Sequence, residues 1–184
     1  MASPVSLLVG LGNPGKRYEP TRHNAGSRFV CEAAREAGST LRDEAKFDGR
    51  IGSARVGSRK LYLFIPATFM NVSGLPVARV ARFYKIPVEE ILVAHDELEL
   101  PPGEVRFKAG GGHAGHNGLR DLIKHLGGSE FSRLRIGIGH PGTGKGVADY
   151  VLKKPSATEA GLIEQAIDAA LRDLPRAVAG ESNL

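Results

Sequence analysis

Apolar residues along this chain follow two rhythms in alternation, one of strands and one of helices. Val5-Ser-Leu-Leu-Val9 is a short apolar run closing on Gly10, as a buried strand does. From Ala25 to Ala37, Phe29, Ala33, Ala34 and Ala37 recur at helical spacing until Gly38 stops the helix. Ile51 to Val56 and Lys60 to Ile65 predict two strands paired through Gly57-Ser58, then a helix over Leu75 to Tyr84 and a strand at Ile91-Leu-Val-Ala94. Glu104 to Lys108 and Leu134 to Ile138 predict two further strands. Between them Leu119, Leu122, Ile123 and Leu126 share one helix face, which ends at Gly127. Ser156-Ala-Thr-Glu159 has capping-box spacing and opens a last helix, with Ile163, Ala166, Ile167, Ala170, Leu171 and Leu174 along one side. No repeat, low-complexity tract or linker breaks the alternation. The pattern predicts one α/β domain over residues 1–184, a mixed, twisted β-sheet with helices on both faces in three layers.

Composition narrows the class of protein. A chain of 184 residues buries a core without staples, and its one cysteine, Cys31, closes no internal disulfide. The start, Met1-Ala-Ser-Pro-Val, lacks a basic segment followed by a long apolar one. No apolar run nears the ~20 residues of a membrane span, so the expected setting is the cytoplasm, away from any membrane. Twenty-five basic residues against 20 acidic ones leave a net charge of +5, which suits a polyanionic partner.

The stretch Leu7 to Gly15, LLVGLGNPG, contains the glycine spacing of a dinucleotide fingerprint. A nucleotide fold also needs a helix that begins at those glycines and faces the pyrophosphate. Here Gly15 is followed by Lys16-Arg-Tyr-Glu-Pro20-Thr-Arg-His-Asn24, polar and without helical periodicity. The acids about 20 residues on, where the ribose ligand belongs, are Glu32 and Glu36, and both fall inside the predicted first helix. The glycines therefore turn the strand tightly and open the backbone around Asn13 to close approach, while Pro14 stiffens the turn.

Four other stretches gather polar residues at predicted strand ends or turns. They are Tyr18 with Thr21-Arg-His-Asn24, Phe69-Met-Asn71-Val-Ser-Gly74, Ala94-His95-Asp96-Glu97, and Gly110-Gly-Gly-His-Ala-Gly-His-Asn117-Gly. Open α/β sheets collect ligands at the carboxyl ends of their strands, where such loops meet. Asn13 and Asp96 each directly follow a predicted strand and so share one sheet edge.

Five motifs carry a family resemblance: GLGNPGKRYEPTRHNAG, FMNVSG, VAHDELELPPG, GGGHAGHNGLRD and RLRIGIGHPG. In this order and spacing the chain, from about Leu7 to Leu174, resembles bacterial peptidyl-tRNA hydrolases. The resemblance implies a monomeric α/β hydrolase without a cofactor or metal, cleaving the ester between a peptide and the 3′ ribose of tRNA. It implies His23 as catalytic base and Asp96 as the acid holding it. Asn13, Asn71 and Asn117 would line the site, with Asn13 rejecting free aminoacyl-tRNA. Tyr18 and Phe69 would meet the 3′ CCA end, and Lys108 and Arg135 the 5′ phosphate of the acceptor stem. Two departures stand out. Ala114 occupies a position where the family commonly has glycine, a change expected to stiffen its loop. Family members also usually continue past the counterpart of Ala179-Gly-Glu-Ser-Asn183 into a final helix, which the resemblance implies is shortened or missing here.

The chemistry of these residue types is consistent with such roles. Ester cleavage at neutral pH needs a water stripped of its proton, histidine titrates in that range, and a neighbouring carboxylate fixes its tautomer. Asparagine amides donate to a developing oxyanion without adding charge. A helix starting near Asn117 would turn unpaired N–H groups toward a ligand. Arg106, Lys108, Arg120, Lys124, Arg133, Arg135 and Lys145 concentrate positive charge in the later half, either as a phosphate-binding patch or as a solvated surface. Rival chemistries remain at this point. His113 and His116, three residues apart, with His95-Asp96 suggest zinc; Ser73 lacks the G-x-S-x-G elbow of a nucleophile; Cys31 falls in a helix, where a buried thiol is structural. A non-catalytic RNA-binding module would use the same basic residues but need no histidine–aspartate pair.

Overall fold

The structure, a computed structural model, describes residues 2–143 and 146–181. The apolar runs become the strands β1 (Leu7–Gly10), β3 (Gly49–Val56), β4 (Arg59–Pro66), β5 (Ile91–Glu97), β6 (Val105–Ala109) and β7 (Ser132–Gly137). A short charged strand, β2 (Arg42–Glu44), joins them in one sheet of order β2-β3-β4-β1-β5-β7-β6. β4, β1, β5 and β7 run parallel, and the antiparallel pairings β2–β3, β3–β4 and β6–β7 lie at the two margins. The helices are α1 (Ala25–Glu36), α2 (Gly74–Phe83), α3 (Asn117–Leu126), α4 (Val147–Val151) and α5 (Ala157–Val178).

Strand alternation divides the core in two. Leu8, Leu63, Leu92, Ala94, Leu134 and Ile136 turn to one face and meet Phe29 and Val30 of α1 with Ile163, Ile167 and Leu174 of α5. Leu7, Val9, Phe64, Ile91 and Val93 turn to the other and meet Val77 and Val80 of α2 with Leu119 and Leu122 of α3. These are the three layers the sequence predicts. Truncating a fully buried ring such as Phe29 to alanine in such a core costs about 3–5 kcal/mol.

Two elements run further than expected, and two more are unexpected. β5 continues past Ala94 through His95 and Asp96 to Glu97, because it pairs with β7 along its whole length, Asp96 opposite Ile136. Asp96 therefore lies on the strand and not after it. α5 starts on the expected capping box but runs through Pro175 to Val178, where the apolar face continues as Ala177 and Val178. β2 and the five-residue α4 carry too few apolar positions to be predicted. The expected difference at the C-terminus lies beyond Glu181, outside the described residues.

The opening glycines serve packing. A Cβ on Gly10 would come within 2.6 Å of the Gly26 carbonyl oxygen, and one on Gly26 would overlap the Ala94 carbonyl. The first turn of α1 is thus pressed onto the ends of β1 and β5. The 3₁₀ turn Arg22–Asn24, directly before α1, is delivered to the carboxyl edge of the parallel strands. No helix among the described residues is long and apolar enough to cross a membrane.

Candidate active site

That delivery sets His23 against Asp96. His23 Nδ1 lies 2.9 Å from Asp96 Oδ2 and 3.0 Å from Oδ1, with both side chains buried. A third group completes the cluster, since His116 Nε2 is 2.8 Å from Asp96 Oδ1. His116 is the N-cap of α3, and its Nδ1 accepts the backbone N–H groups of Gly118 (3.1 Å) and Leu119 (3.2 Å). A ring nitrogen that accepts carries no hydrogen, so the neutral His116 ring has its hydrogen on Nε2 and donates it to Asp96. Burial alone would raise the Asp96 pKa, but the His116 and His23 imidazoles outweigh it and hold the carboxyl well below its usual range. An ionised Asp96 only accepts, so neutral His23 donates Nδ1–H and keeps its lone pair on Nε2.

His95 is only 3% exposed and donates Nδ1–H to the Asp96 carbonyl oxygen at 2.8 Å. Burial, with His116 adding to it, pushes its pKa down to about 4, so it stays neutral near pH 7. His23, His95, Asp96, His116 and Asn117 line a cavity of about 430 Å³, walled on one side by Val147, Ala148 and Val151 around α4.

The Asn13 loop is held beside this cluster by Asn24. Asn24 Oδ1 accepts the Asn13 N–H, and Asn24 Nδ2 donates to the Asn13 carbonyl, both at 2.9 Å. Asn13 Oδ1 accepts the Met70 N–H at 2.7 Å. A backbone N–H can only donate, so the Asn13 amide is oriented and its NH₂ is the end left without a protein partner among the described residues.

Comparison with known proteins places the chain in a family. The peptidyl-tRNA hydrolase family model matches residues 7–183. A peptidyl-tRNA hydrolase from a Marinomonas species is 54% identical over 96% of this chain and 92% of its own length. One from Alcanivorax borkumensis is 52% identical, covering all of this chain and 94% of its own. The chain belongs to the peptidyl-tRNA hydrolase family. The crystal structure of the Acinetobacter baumannii peptidyl-tRNA hydrolase superposes with a TM-score of 0.94 at 48% identity, over 98% of this chain and 92% of that one. A Toxoplasma gondii purine nucleoside phosphorylase, at 11% identity and a TM-score of 0.54, covers 96% of this chain and 93% of its own and shares the fold alone.

Of the other residues that this family resemblance singles out, Asn117 alone lines that cavity, and Tyr18, Phe69, Asn71, Lys108 and Arg135 lie outside its lining. Tyr18 and Phe69 meet edge to face with ring centroids 6.1 Å apart, and Phe69 is 54% exposed. Asn71 and Asn117 are exposed and share a shallow hollow with Arg120 and Lys124, where Arg120 donates to Asn117 Oδ1 at 3.2 Å. Lys108 and Arg135 lie on the β6–β7 margin. Lys108 stands opposite Arg133 and Arg106 opposite Arg135, so all four project from one face of the ladder. Lys108 is exposed, whereas Arg135 is half-buried and donates Nε–H to Glu97 Oε1 at 2.8 Å.

Several expectations change. Arg133 is buried and is not part of a solvated patch; it donates to the carbonyls of Gly112 (2.6 Å), Gly111 and Ser129 (3.3 Å) and so pins the glycine-rich loop. Lys145 lies outside the described residues. Two of the N–H groups at the start of α3 are taken by His116 and do not face a ligand. Ala114 has φ 48°, the left-handed region, which explains why glycine suits this position and costs alanine about 1–2 kcal/mol.

Among the described residues, His23, Asp96 and His116 also form a group that could hold a metal, their ligand atoms all lying within 4.8 Å of one another. For His116 Nε2 to ligate, the ring hydrogen would have to sit on Nδ1, where two backbone N–H groups already point. The donor set therefore fits a hydrogen-bonded relay better than a metal centre. His113, another histidine of the zinc reading, accepts the Gly115 N–H on Nδ1 at 2.9 Å. Ser73 is fully buried and donates to the Met70 carbonyl at 2.8 Å, so it does not serve as a nucleophile. Cys31 is half-buried beside the α1–α5 core and not enclosed in it.

Proposed function

We propose that His23 is the general base in the hydrolysis of peptidyl-tRNA, the reaction of this family, and that Asp96 and His116 fix it in the required form. The observation that carries the reading is the ordered relay. His116 donates to Asp96 and His23 donates to Asp96, so the His23 Nε2 lone pair is the basic site left over. It takes a proton from a water whose oxygen attacks the ester carbonyl, and Asp96 stabilises the imidazolium. The tetrahedral intermediate collapses and the bond from the acyl carbon to the ribose 3′ oxygen breaks. That oxygen takes the proton held by the His23 imidazolium, so the peptide acid and free tRNA leave and the base is restored.

Asn117, on the cavity wall, and Asn71 beside it supply amide donors for the oxyanion or the peptide carbonyls. The oriented NH₂ of Asn13 donates to the acyl carbonyl of a blocked α-amine, a partner that a free amine lacks. Tyr18 and the exposed Phe69 offer ring faces to the bases of the 3′ CCA end. Lys108 and Arg135 meet the 5′ phosphate of the acceptor stem. The protein acts as a monomer in the cytoplasm, where charged tRNA is used, with no cofactor or metal. Incubation with N-acetyl-aminoacyl-tRNA in the presence of a chelator tests the reading. Release of free tRNA at an undiminished rate supports it; activity lost to the chelator and restored by zinc contradicts it.

A further inference from the structure

A 3₁₀ turn has three residues per revolution, so the side chains of Arg22, His23 and Asn24 leave it about 120° apart. His23 goes to Asp96 and Asn24 to the Asn13 backbone. Arg22 points away from both, toward α4 and the start of α5. It is 8% exposed, and its guanidinium carbon stands 3.9 Å from the Tyr150 ring centroid. Nη1 donates to the Tyr150 carbonyl at 3.0 Å, and Nη2 reaches Glu159 Oε1 at 3.4 Å. The Arg22 N–H also donates to the Lys153 carbonyl at 3.1 Å.

Tyr150 is tied back to the sheet, its hydroxyl donating to the Ile138 carbonyl at 2.7 Å. Ile138 lies just beyond β7, donates its own N–H to the Glu97 carbonyl at 3.0 Å, and follows the stretch in which Ile136 pairs with Asp96. The contacts close a ring: from His23 to Asp96, across β5 and β7 to Ile138, on to Tyr150 and Arg22, and back along the turn to His23. We propose that Arg22 is a positioning residue for His23, fixing the rotation of the catalytic turn relative to the strand that carries Asp96. The inference rests on His23 being the base. Only arginine meets the geometry, because its planar fork stacks on a ring and donates in two directions at once, which a lysine ammonium does not. The position is also costly, since a nearly buried cation leaves its Nε without a protein partner among the described residues.

The test compares wild type, Arg22→Lys, Arg22→Gln and His23→Ala on N-acetyl-aminoacyl-tRNA, with folding followed by circular dichroism and the His23 ring signals by NMR of histidine-labelled protein. Both Arg22 variants should keep KM within about twofold and lose about ten- to a hundredfold in kcat, with the His23 Nδ1–H signal shifted or broadened. If an Arg22 variant does not fold, Tyr150→Leu tests the same clamp from the other side. It should reproduce the kcat loss, and Tyr150→Phe, which keeps the ring under the guanidinium but loses the hydroxyl's tie to Ile138, should fall between Tyr150→Leu and wild type. Folded variants with wild-type kcat and an unmoved His23 signal, alongside an inactive His23→Ala, would overturn the role of Arg22. An active His23→Ala would instead overturn the assignment of the base on which it rests.

Discussion

Asn13→Asp isolates one hydrogen bond. The new carboxylate keeps an oxygen for the Met70 N–H, now at 2.7 Å from Asn13 Oδ1, and leaves the backbone pair with Asn24 intact, so the loop keeps its shape. The one group removed is the NH₂ that faces no protein partner among the described residues. With a blocked substrate, the acyl carbonyl loses its donor and meets a negative oxygen. An unmade hydrogen bond of this kind costs about 1–3 kcal/mol, or roughly five- to 150-fold in kcat/KM. With free aminoacyl-tRNA, whose amine is partly cationic, the carboxylate is neutral to favourable. The assay measures kcat/KM for N-acetyl-aminoacyl-tRNA and aminoacyl-tRNA in both proteins. The ratio between the two substrates should narrow by at least about fivefold. Equal losses on both substrates would show that the loop is a scaffold and that the blocked amine is sensed elsewhere.

Gly26→Ala places a methyl against the Ala94 carbonyl and lifts α1 from β5; urea unfolding should show a loss of at least about 1–3 kcal/mol with reduced kcat, and a neutral effect would mean the helix does not seat His23. His95, whose pKa is about 4 when folded against an ordinary value of 6.5, binds a proton more readily unfolded, so its contribution is lost as pH falls from about 6.5 toward 4. By about pH 4.5 that loss is roughly 2–3 kcal/mol; urea midpoints should fall less with pH in His95→Gln, and parallel curves would refute the assignment. Lys108→Ala should raise KM for full-length substrate more than for a short aminoacyl-nucleotide mimic and lower the salt slope by about one unit; equal losses on both would remove it from the phosphate contact.

The apolar rhythm made the layers legible because the central strands are buried on both faces and the helices on one. It failed where tertiary pairing extends an element beyond its apolar residues. β5 carries His95 and Asp96 because β7 pairs with it that far, and no local pattern at Ala94 announces it. Pro175 suggests an end to α5, yet buried Ala177 and Val178 keep the helix on the sheet. Asn13 is legible as part of a glycine-rich turn behind an apolar strand, and His23 and Asp96 as polar residues in short stretches at predicted strand ends or turns, but their roles come only from the family resemblance. His116 was visible only as a zinc candidate. Its signal was a polar residue just before a helix, but histidine is not among the usual N-caps, so the cap that fixes its tautomer was missed. Arg22 carried no local signal, because the ring it lies on comes from Tyr150, far along the chain.

The central claim is that His23 takes the proton from water while contributing little to holding tRNA. The direct measurement is His23→Ala, with single-turnover cleavage of N-acetyl-aminoacyl-tRNA and equilibrium binding of the same substrate on one preparation. Cleavage should fall by about 10²–10⁴-fold while Kd stays within about threefold. Cleavage near the wild-type rate with intact binding would show that another group activates the water.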